Sequence, residues 1–407
     1  MKYTTYFTMQ EADVIDYALT KLDVFSEDAS LTCTEIGDGN LNYVFRLVDE
    51  QSKRSIIIKQ AGPVARISDE FKVSPDRNRI ESEILKIQNE LAPGLVPEVY
   101  NYDPIMNCCV MEDLSDHVIM RTALLNREQF PLFVEHITTF MANTLLLTSD
   151  VVMNHKEKKE QVKGFINPDL CEITEDLVYT EPFYNCARND VYEPIREFAS
   201  KHLWEDEALL LETAKMKFEF MTHTQSLIHG DLHTGSIFVK QDSTKVIDPE
   251  FAFYGPAGYD VGNIIANLIF AYVNAECTME AGDLKGRHME WIIETIQDVV
   301  DQFQTKFLSL WSTSVQDKSA SYPGFDRYYL DLIMKDAAGV AGLELCRRTL
   351  GIAHVREIVS IADADARERA ERMCLIMGKQ LIMDRSDMKR GSDYFRIISS
   401  SSEMYSR

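Results

Sequence analysis

The stretch His229-Gly230-Asp231-Leu232-His233, followed shortly by Asp248-Pro249-Glu250, decides how the rest of the chain is interpreted. Each piece follows an apolar run rich in β-branched residues and leads into a Gly or Pro turn, a pattern that presents carboxylates at the rim of a cleft. Three acids in one place repel one another unless a cation lies between them. A divalent metal and a polyphosphate would supply that partner. We therefore interpret Asp231 as a general base, and Asp248 and Glu250 as metal ligands.

The composition favours an ordinary globular protein of about two domains. Its 407 residues are 45% hydrophobic and 26% charged, which are usual values. The formal net charge of −23 argues against a nucleic acid or an anionic membrane as a partner, because either would need basic patches. That charge does not exclude ATP, which needs only a local cationic pocket and a metal.

The eight cysteines are scattered and form no CxxC pair. Cys108 and Cys109 are adjacent, which makes an ordinary disulfide between them implausible, and the pattern is typical of reduced thiols in a cytoplasmic protein. The N-terminus shows no apolar segment of a secretion signal. The longest apolar run, residues 261–273, contains Asn263 and Asn267 and is too short to span a bilayer, so we expect a buried helix there.

The first 114 residues predict a sheet with two helices. A helix is expected over 9–22, and strands over 31–36, 41–48, 55–59, 97–102 and 108–111. Gly37 and Gly39, between the first two strands, could lay main-chain N–H groups over phosphates, although by themselves they favour an ordinary hairpin turn. Lys59 ends the third strand and could pair with phosphates; the alternative is a solvated strand end.

A helix is predicted over residues 76–90, with Asp76 as its N-cap. Glu81 and Glu83 are both candidates to pair with Lys59, and at least one of them must lie on a solvated acidic face. Beyond the last strand, the main chain of Glu112-Asp113-Leu114 could hydrogen-bond the edge of an adenine. A simple linker is the alternative interpretation of that segment.

From residue 115 to residue 407 the pattern becomes mainly helical, and residues 385–407, rich in Ser, Arg and Asp, are expected to fray. Asp260 is expected to cap the helix that follows it. Arg347 and Arg348 are adjacent on a late helix and point about 100° apart. One of them could therefore face the cleft while the other serves the structure; two surface salt bridges are the generic alternative.

Together these residues fit phosphoryl transfer, in which an enzyme positions ATP, neutralises developing charge and orients an acceptor hydroxyl. Asp248 and Glu250 are two residues apart, so their side chains would emerge on the same side of a strand end. Two hard oxygen ligands beside phosphates suit Mg²⁺. His229 is expected to fix the catalytic loop by hydrogen bonding, and His233 is interpreted as structural.

The order of these motifs resembles the 5-methylthioribose kinase family, within the protein-kinase-like superfamily that includes aminoglycoside and choline kinases. The resemblance covers nearly the whole chain. HGDLH alone would indicate only the superfamily, whereas the longer motifs and the twin arginine are more specific. The stretches that carry it are GDGNLNYVF at 37–45, Lys59, MEDL at 111–114, HGDLHTGS at 229–236 and DPEFAFYGP at 248–256.

The resemblance implies an α+β, bilobal, protein-kinase-like fold. Residues 1–114 would form an N-terminal lobe of antiparallel sheet and helix, and residues 115–407 a larger, mainly helical C-terminal lobe. It also implies ATP- and Mg²⁺-dependent transfer of the γ-phosphate to the anomeric hydroxyl of 5-methylthioribose, giving 5-methylthioribose 1-phosphate in methionine salvage. Family members are usually homodimeric.

The resemblance assigns roles to the candidate residues. Asp231 would be the base and a substrate contact; Arg347 and Arg348 would contact the sugar and the transferring phosphate. The ATP site would include Asn42 and Lys59 at its phosphate end, Glu112, Asp113 and Leu114 at its adenine end, and the metal-holding motif Asp248, Pro249 and Glu250. Two departures stand out: Ser236 replaces the Asn that serves many superfamily members as a second metal ligand, and residues 65–71 lack an expected tryptophan.

Two alternatives remain open at this stage. The same fold could phosphorylate another small alcohol, such as an aminoglycoside or a choline-like amine, but Arg347 and Arg348 would repel a cationic acceptor. A catalytically inactive nucleotide-binding protein is disfavoured because Lys59, Asp231 and Asp248 are all present.

Overall fold

The first part of the chain is a five-stranded antiparallel sheet in the order β1-β2-β3-β5-β4. The computed structural model describes residues 2–26, 28–36, 42–62 and 73–405. The strands and the two helices beside them are β1 Leu31–Glu35, β2 Asn42–Asp49, β3 Ser55–Ala61, β4 Val99–Asp103, β5 Cys108–Glu112, α1 Glu11–Lys21 and α2 Asp76–Leu91. The predicted sheet and helices are thus confirmed, with bounds that differ by a few residues.

Strand β3 gives Lys59 its direction. Side chains alternate between the two faces of a strand. Ile56 and Ile58 pack with Tyr17 of α1 in one apolar cluster, whereas Lys59 lies on the opposite face and meets Glu81 of α2. The lysine therefore lies on the face of the sheet that carries α2, opposite to the apolar cluster that contains α1.

The second part of the chain is mainly helical, as predicted. Its helices are α3 Met120–Leu125, α4 Phe133–Leu147, α5 His155–Gly164, α6 Pro168–Leu177, α7 Arg196–Ala199, α8 Glu207–Thr222, α9 Gly258–Thr278, α10 Asp283–Ser314, α11 Phe325–Leu350, α12 Arg356–Val359, α13 Ala364–Met383 and α14 Gly391–Tyr405. Its short strands are β6 Val118–Ile119, β7 Ser226–Ile228, β8 Ile237–Lys240, β9 Ser243–Val246 and β10 Phe253–Gly255.

Helix α9 lies at the centre of the second part. All residues from Gly258 to Ala275 are buried, which confirms the buried helix expected over 261–273. Two glycines let it approach α11 closely. A Cβ atom at Gly258 would lie 2.5 Å from the carbonyl oxygen of Ile333, and one at Gly262 would lie 2.5 Å from that of Ala337. This contact fixes α11, whose last turns carry Arg347 and Arg348.

The two acidic motifs lie between short paired strands. β7 ends at Ile228, immediately before His229, and it pairs with β10, which begins at Phe253 after the second motif. β8 and β9 pair with each other between the two motifs. The pairing holds both motifs at one end of these strands.

Two local expectations were wrong. Residues 385–407 were expected to fray, but α14 buries Tyr394, Ile397 and Ile398, so its apolar face outweighs its polar composition. Asp76 is not an N-cap, because Pro75 occupies that position and Asp76 is the first helical residue, where its carboxylate lies 2.6 Å from Arg79. Among the helices in the described ranges, none combines the length and the apolar character that a membrane crossing requires.

The boundary at residue 114 stays a prediction. One apolar cluster contains only residues from the first part of the chain, among them Phe45 and Val110. The largest cluster belongs mostly to the second part, yet it also includes Leu85, Cys109 and Met111. The two parts therefore share some core along α2 and β5.

Candidate active site

The catalytic loop is held by Asp260 of α9. Its carboxylate accepts hydrogen bonds from the main-chain N–H groups of His229 at 2.7 Å and Gly230 at 3.0 Å. Burial raises the pKa of Asp260, and His229 and the two main-chain donors oppose that shift. The predicted capping role was wrong, since the N-cap position is Ala257 and Asp260 lies inside the first turn. Sequence reasoning missed this contact because it joins residues some thirty positions apart.

His229 joins the two motifs. Its Nε2 lies 2.9 Å from the carbonyl oxygen of Ile247, and its Nδ1 accepts the N–H of Asp231 at 3.2 Å. Nε2 therefore donates to the carbonyl oxygen of Ile247. The expectation that His229 fixes the loop by hydrogen bonding agrees with this arrangement.

Asp231 faces two arginines and a histidine. Its Oδ1 lies 3.5 Å from Nη2 of Arg347 and 3.6 Å from Nη2 of Arg348, and its Oδ2 lies 3.4 Å from Nε2 of His233. Burial would raise the pKa of Asp231, but the positive charges of protonated His233 and then of Arg348 and Arg347 hold it well below its usual range. Burial lowers the pKa of His233 to about 4, so this imidazole is neutral near pH 7. His233 is thus a neighbour of Asp231 and more than a remote structural residue.

Both arginines reach Asp231, although adjacent helical positions were expected to diverge. Glu344, one turn earlier on α11, draws the two side chains together: it pairs with Nε of Arg347 and with Nε of Arg348 at 2.8 Å. All three side chains are buried, which excludes the surface salt bridges considered above. The two guanidinium groups lower the pKa of Glu344 despite its burial.

Lys59 joins the sheet to the second motif. Its ammonium lies 2.8 Å from Glu81 of α2 and also pairs with Asp248. Of the two candidate partners of Lys59, Glu81 is therefore the one that pairs with it. Glu83 instead lies 2.7 Å from Arg79 on the outer face of the helix. Lys59 is not a solvated strand end, because only 10% of its side chain is exposed.

Asp248 and Glu250 lie beyond the end of β9, so the argument from strand periodicity was wrong. Asp248 has a left-handed backbone with φ of 67°, a conformation that non-glycine residues seldom adopt. Its side chain is 42% exposed, whereas that of Glu250 is 7% exposed. Between them, the carbonyl oxygen of Pro249 accepts the N–H of Ala252 at 3.1 Å and closes the turn.

Glu250 is held by residues from the first part of the chain. Its Oε2 accepts a hydrogen bond from Nδ2 of Asn42 at 2.9 Å and lies 3.4 Å from Nε of Arg77. Burial and the nearby charge of Asp248 raise the pKa of Glu250. Burial would do the same to Asp248, but Lys59 lowers its pKa. Arg77 was missed by sequence reasoning, because nothing in the helical pattern of residues 76–90 distinguishes it from a surface arginine.

Glu112 is the last residue of β5, and Asp113 and Leu114 follow the strand. The carboxylate of Glu112 lies 3.0 Å from Lys245, and that of Asp113 lies 2.6 Å from Arg46. Because both carboxylates are engaged in these ion pairs, only the main chain of the segment is left to contact an adenine.

Ser236, which replaces the Asn of many superfamily members, contacts His233. Its hydroxyl lies 3.1 Å from Nδ1 of that histidine. The glycines of residues 37–41 and the segment 65–71 lie outside the described residues, so the expectations for them stay predictions.

The two motifs lie close together, since the charge of Asp231 acts on Asp248. The site combines an ionised carboxylate, two fixed guanidinium groups, a buried lysine and two further carboxylates. Comparison with known proteins agrees with this arrangement. Residues 32–284, more than half of the chain, match the model of the phosphotransferase enzyme family APH. Methylthioribose kinase of Geobacillus sp. (strain WCH70) is 42% identical over 386 residues, which cover 95% of this chain and 94% of the relative. The chain belongs to the methylthioribose kinase family.

Further comparisons add detail to this assignment. Methylthioribose kinase of Bacillus pumilus (strain SAFR-032) is 39% identical over 398 residues, 98% of either chain. Among solved structures, choline kinase from Cryptosporidium parvum Iowa II is 11% identical, with a TM-score of 0.47 over 97% of each chain. As a family member the chain is a small-molecule kinase with the kinase-like α+β fold expected from the sequence.

Proposed function

We propose that the chain transfers the γ-phosphate of ATP to the anomeric hydroxyl of 5-methylthioribose, giving 5-methylthioribose 1-phosphate in methionine salvage. The observation that carries the proposal is the group at Asp231, where a carboxylate that faces Arg347 and Arg348 lies near enough to the Lys59–Asp248 pair for its charge to act on Asp248. The names of the relatives support the choice of sugar.

The donor atoms of the second motif fit a magnesium nucleotide. Asp248 and Glu250 offer hard carboxylate oxygens, and no cluster of three or more His, Cys, Asp or Glu side chains suited to a metal occurs within the described ranges. Mg²⁺ is commonly held by one or two carboxylates together with substrate phosphates. We assign Asp248 and Glu250 as its ligands, and when bound the ion would neutralise charge on the phosphates.

Asp231 is the proposed general base. Its ionised carboxylate accepts the proton of the acceptor hydroxyl while that oxygen forms a bond to the γ-phosphorus and the bond from phosphorus to the ADP oxygen breaks. Arg347 and Arg348, fixed by Glu344, need no rearrangement to meet the negative charge that develops beside Asp231.

Lys59, Asn42 and the main chain of Glu112-Asp113-Leu114 complete the proposed nucleotide site. Lys59 would pair with phosphate oxygens, Asn42 would keep Glu250 in place, and the segment after β5 would meet the adenine. We further propose lobes of residues 1–114 and 115–407 with the nucleotide between them, in a cytoplasmic homodimer whose mass light scattering would measure.

A substrate panel tests the proposal. The purified protein is mixed with ATP and Mg²⁺ and offered 5-methylthioribose, ribose, choline or an aminoglycoside; ADP release is measured, and phosphorus NMR identifies the product. We expect turnover with 5-methylthioribose and a phosphate on its anomeric carbon, with kcat/KM at least about a hundredfold above the cationic acceptors. Equal or greater turnover with choline or the aminoglycoside would overturn the proposal.

A further inference from the structure

Helix α2 presents two charged side chains toward the cleft. Arg77 and Glu81 lie four residues apart and therefore on one face of the helix, and both are buried. Glu81 pairs with Lys59, which pairs with Asp248. We propose that Arg77 is the matching positioning residue for Glu250, so that α2 controls both carboxylates of the second motif. This inference rests on the proposed role of Glu250 as a metal ligand.

The contacts around Glu250 form a closed triangle. Nη2 of Arg77 donates to Oδ1 of Asn42 at 3.0 Å, Nδ2 of Asn42 donates to Oε2 of Glu250 at 2.9 Å, and Nε of Arg77 lies 3.4 Å from the same Oε2. Arg77 thus orients the amide of Asn42 as well as attracting the carboxylate. Since both contacts fall on Oε2, we expect Oε1 to be the oxygen that meets the cation.

The burial of Arg77 indicates a specific role. Only 1% of its side chain is exposed, and a buried guanidinium is costly unless its charge and its N–H groups are matched. Its Nη1 donates to the carbonyl oxygens of Gly62 at 3.1 Å, Val73 at 3.3 Å and Ser74 at 3.0 Å. These carbonyls would account for a purely structural arginine, but they are neutral. Among the described residues, the negative charge of Glu250 acts most strongly on Arg77, followed by that of Glu81.

The expected consequence is a defect in metal affinity. Residues that hold a metal ligand in place typically change affinity by about 10–100-fold when they are removed. Arg77→Met should therefore weaken binding of Mn²⁺ in the presence of ADP by about tenfold or more, while the KM for 5-methylthioribose stays close to that of the parent. A merely structural arginine would lower the melting temperature and leave the affinity of the folded protein unchanged.

Electron paramagnetic resonance of Mn²⁺ with ADP measures this affinity without turnover. The matched control is Arg79→Met, two residues along the same helix, because Arg79 pairs with Asp76 and Glu83 on the outer face. Arg77→Lys retains the charge but not the planar fork, and should give an intermediate affinity; it also serves if Arg77→Met does not fold. Affinities within twofold of the parent for the folded Arg77 variants would overturn the inference.

Glu250→Gln separates this inference from the proposed function. If Glu250→Gln weakens binding of Mn²⁺ and the Arg77 variants do not, only the positioning role of Arg77 is wrong. If Glu250→Gln itself leaves the affinity unchanged, the assignment of Glu250 as a metal ligand fails, and the role of Arg77 fails with it.

Discussion

Two partly buried aspartates, one on helix α11 and one that faces its end, differ in the direction of their pKa shifts. Asp336, in the middle of the helix, lines a small cavity with Glu219 and His223 of the α8 region, and burial together with Glu219 raises its pKa to about 7. Asp231 is also partly buried, yet its pKa is lowered, because His233 and the two arginines at the end of α11, Arg348 and Arg347, lie close to it.

The difference indicates that the charged neighbours of each aspartate decide the direction of its pKa shift. The charge of Arg385 acts on Asp336, but this arginine is bound by Glu212 and Glu219 at 3.1 Å each and so offers little to a further carboxylate. Near Asp231 one acid, Glu344, holds two guanidinium groups, which leaves a positive excess for Asp231. The balance of nearby positive and negative groups thus distinguishes Asp231, which stays ionised and can accept a proton, from Asp336, whose pKa is raised.

The largest expected effect is that of Asp231→Asn. Loss of the general base should lower kcat by about 10²–10⁴-fold, with little change in the affinity for ATP, because the amide keeps the shape of the side chain. Steady-state kinetics with 5-methylthioribose measure this, with Asp336→Asn as the matched control. A variant that retains more than half of the parent kcat would show that Asp231 is not the base.

Glu344→Gln should destabilise the protein by about 3–5 kcal/mol, since it leaves two buried guanidinium groups without their counter-charge. The free energy of unfolding from urea titrations, followed by circular dichroism, measures the change. A loss below about 1 kcal/mol would indicate that Arg347 and Arg348 do not depend on Glu344.

Arg347→Met should lower kcat by about 10²–10³-fold, and it should also move the acid limb of the pH profile of kcat/KM. Without one guanidinium the pKa of Asp231 rises, so activity that needs the ionised carboxylate is lost at a higher pH than in the parent. Arg347→Lys is the control, because it keeps the charge. An acid limb at the parent position in Arg347→Met would contradict the electrostatic role.

Asp336→Asn should have the smallest effect, and it should stabilise the protein where the other substitutions impair it. The folded pKa of Asp336, about 7, lies above its ordinary value of 3.8, so its burial costs stability progressively as the pH rises from about 4 to about 7. The amide removes this penalty. The variant should be more stable than the parent by on the order of 1–2 kcal/mol near pH 8 and no more stable near pH 4. Melting temperatures across this range would contradict the account if the difference were independent of pH.

The sequence predicted the sheet and the helical second part, because strand alternation and helical periodicity are local properties. The pair between Lys59 and Asp248 was not predicted, because it joins residues from the two parts of the chain. It also identified Glu81 as one of two possible partners of Lys59. Which glutamate pairs with the lysine depends on how α2 rotates against the sheet, and local periodicity does not determine that rotation.

The contacts that hold the catalytic loop and the two arginines in place could not be predicted from the sequence. Asp260 was interpreted as a cap because aspartate is favoured at the N-cap position of a helix, but it lies within the first turn, and its carboxylate accepts hydrogen bonds from His229 and Gly230. The convergence of Arg347 and Arg348 on Asp231 contradicts the expected divergence of neighbouring helical residues, because Glu344 bends both side chains toward itself. In both cases a distant or shared partner outweighs local preference.

The central claim is that one cleft joins a proton-accepting Asp231 to a metal-holding Asp248–Glu250 pair. The most direct measurement is a crystal structure with Mg²⁺, a non-hydrolysable ATP analogue and 5-methylthioribose. The account predicts the anomeric hydroxyl within about 3 Å of the Asp231 carboxylate and the metal bound by Asp248 and Glu250. A hydroxyl that lies nearest to another side chain, or a metal that neither carboxylate touches, would contradict it.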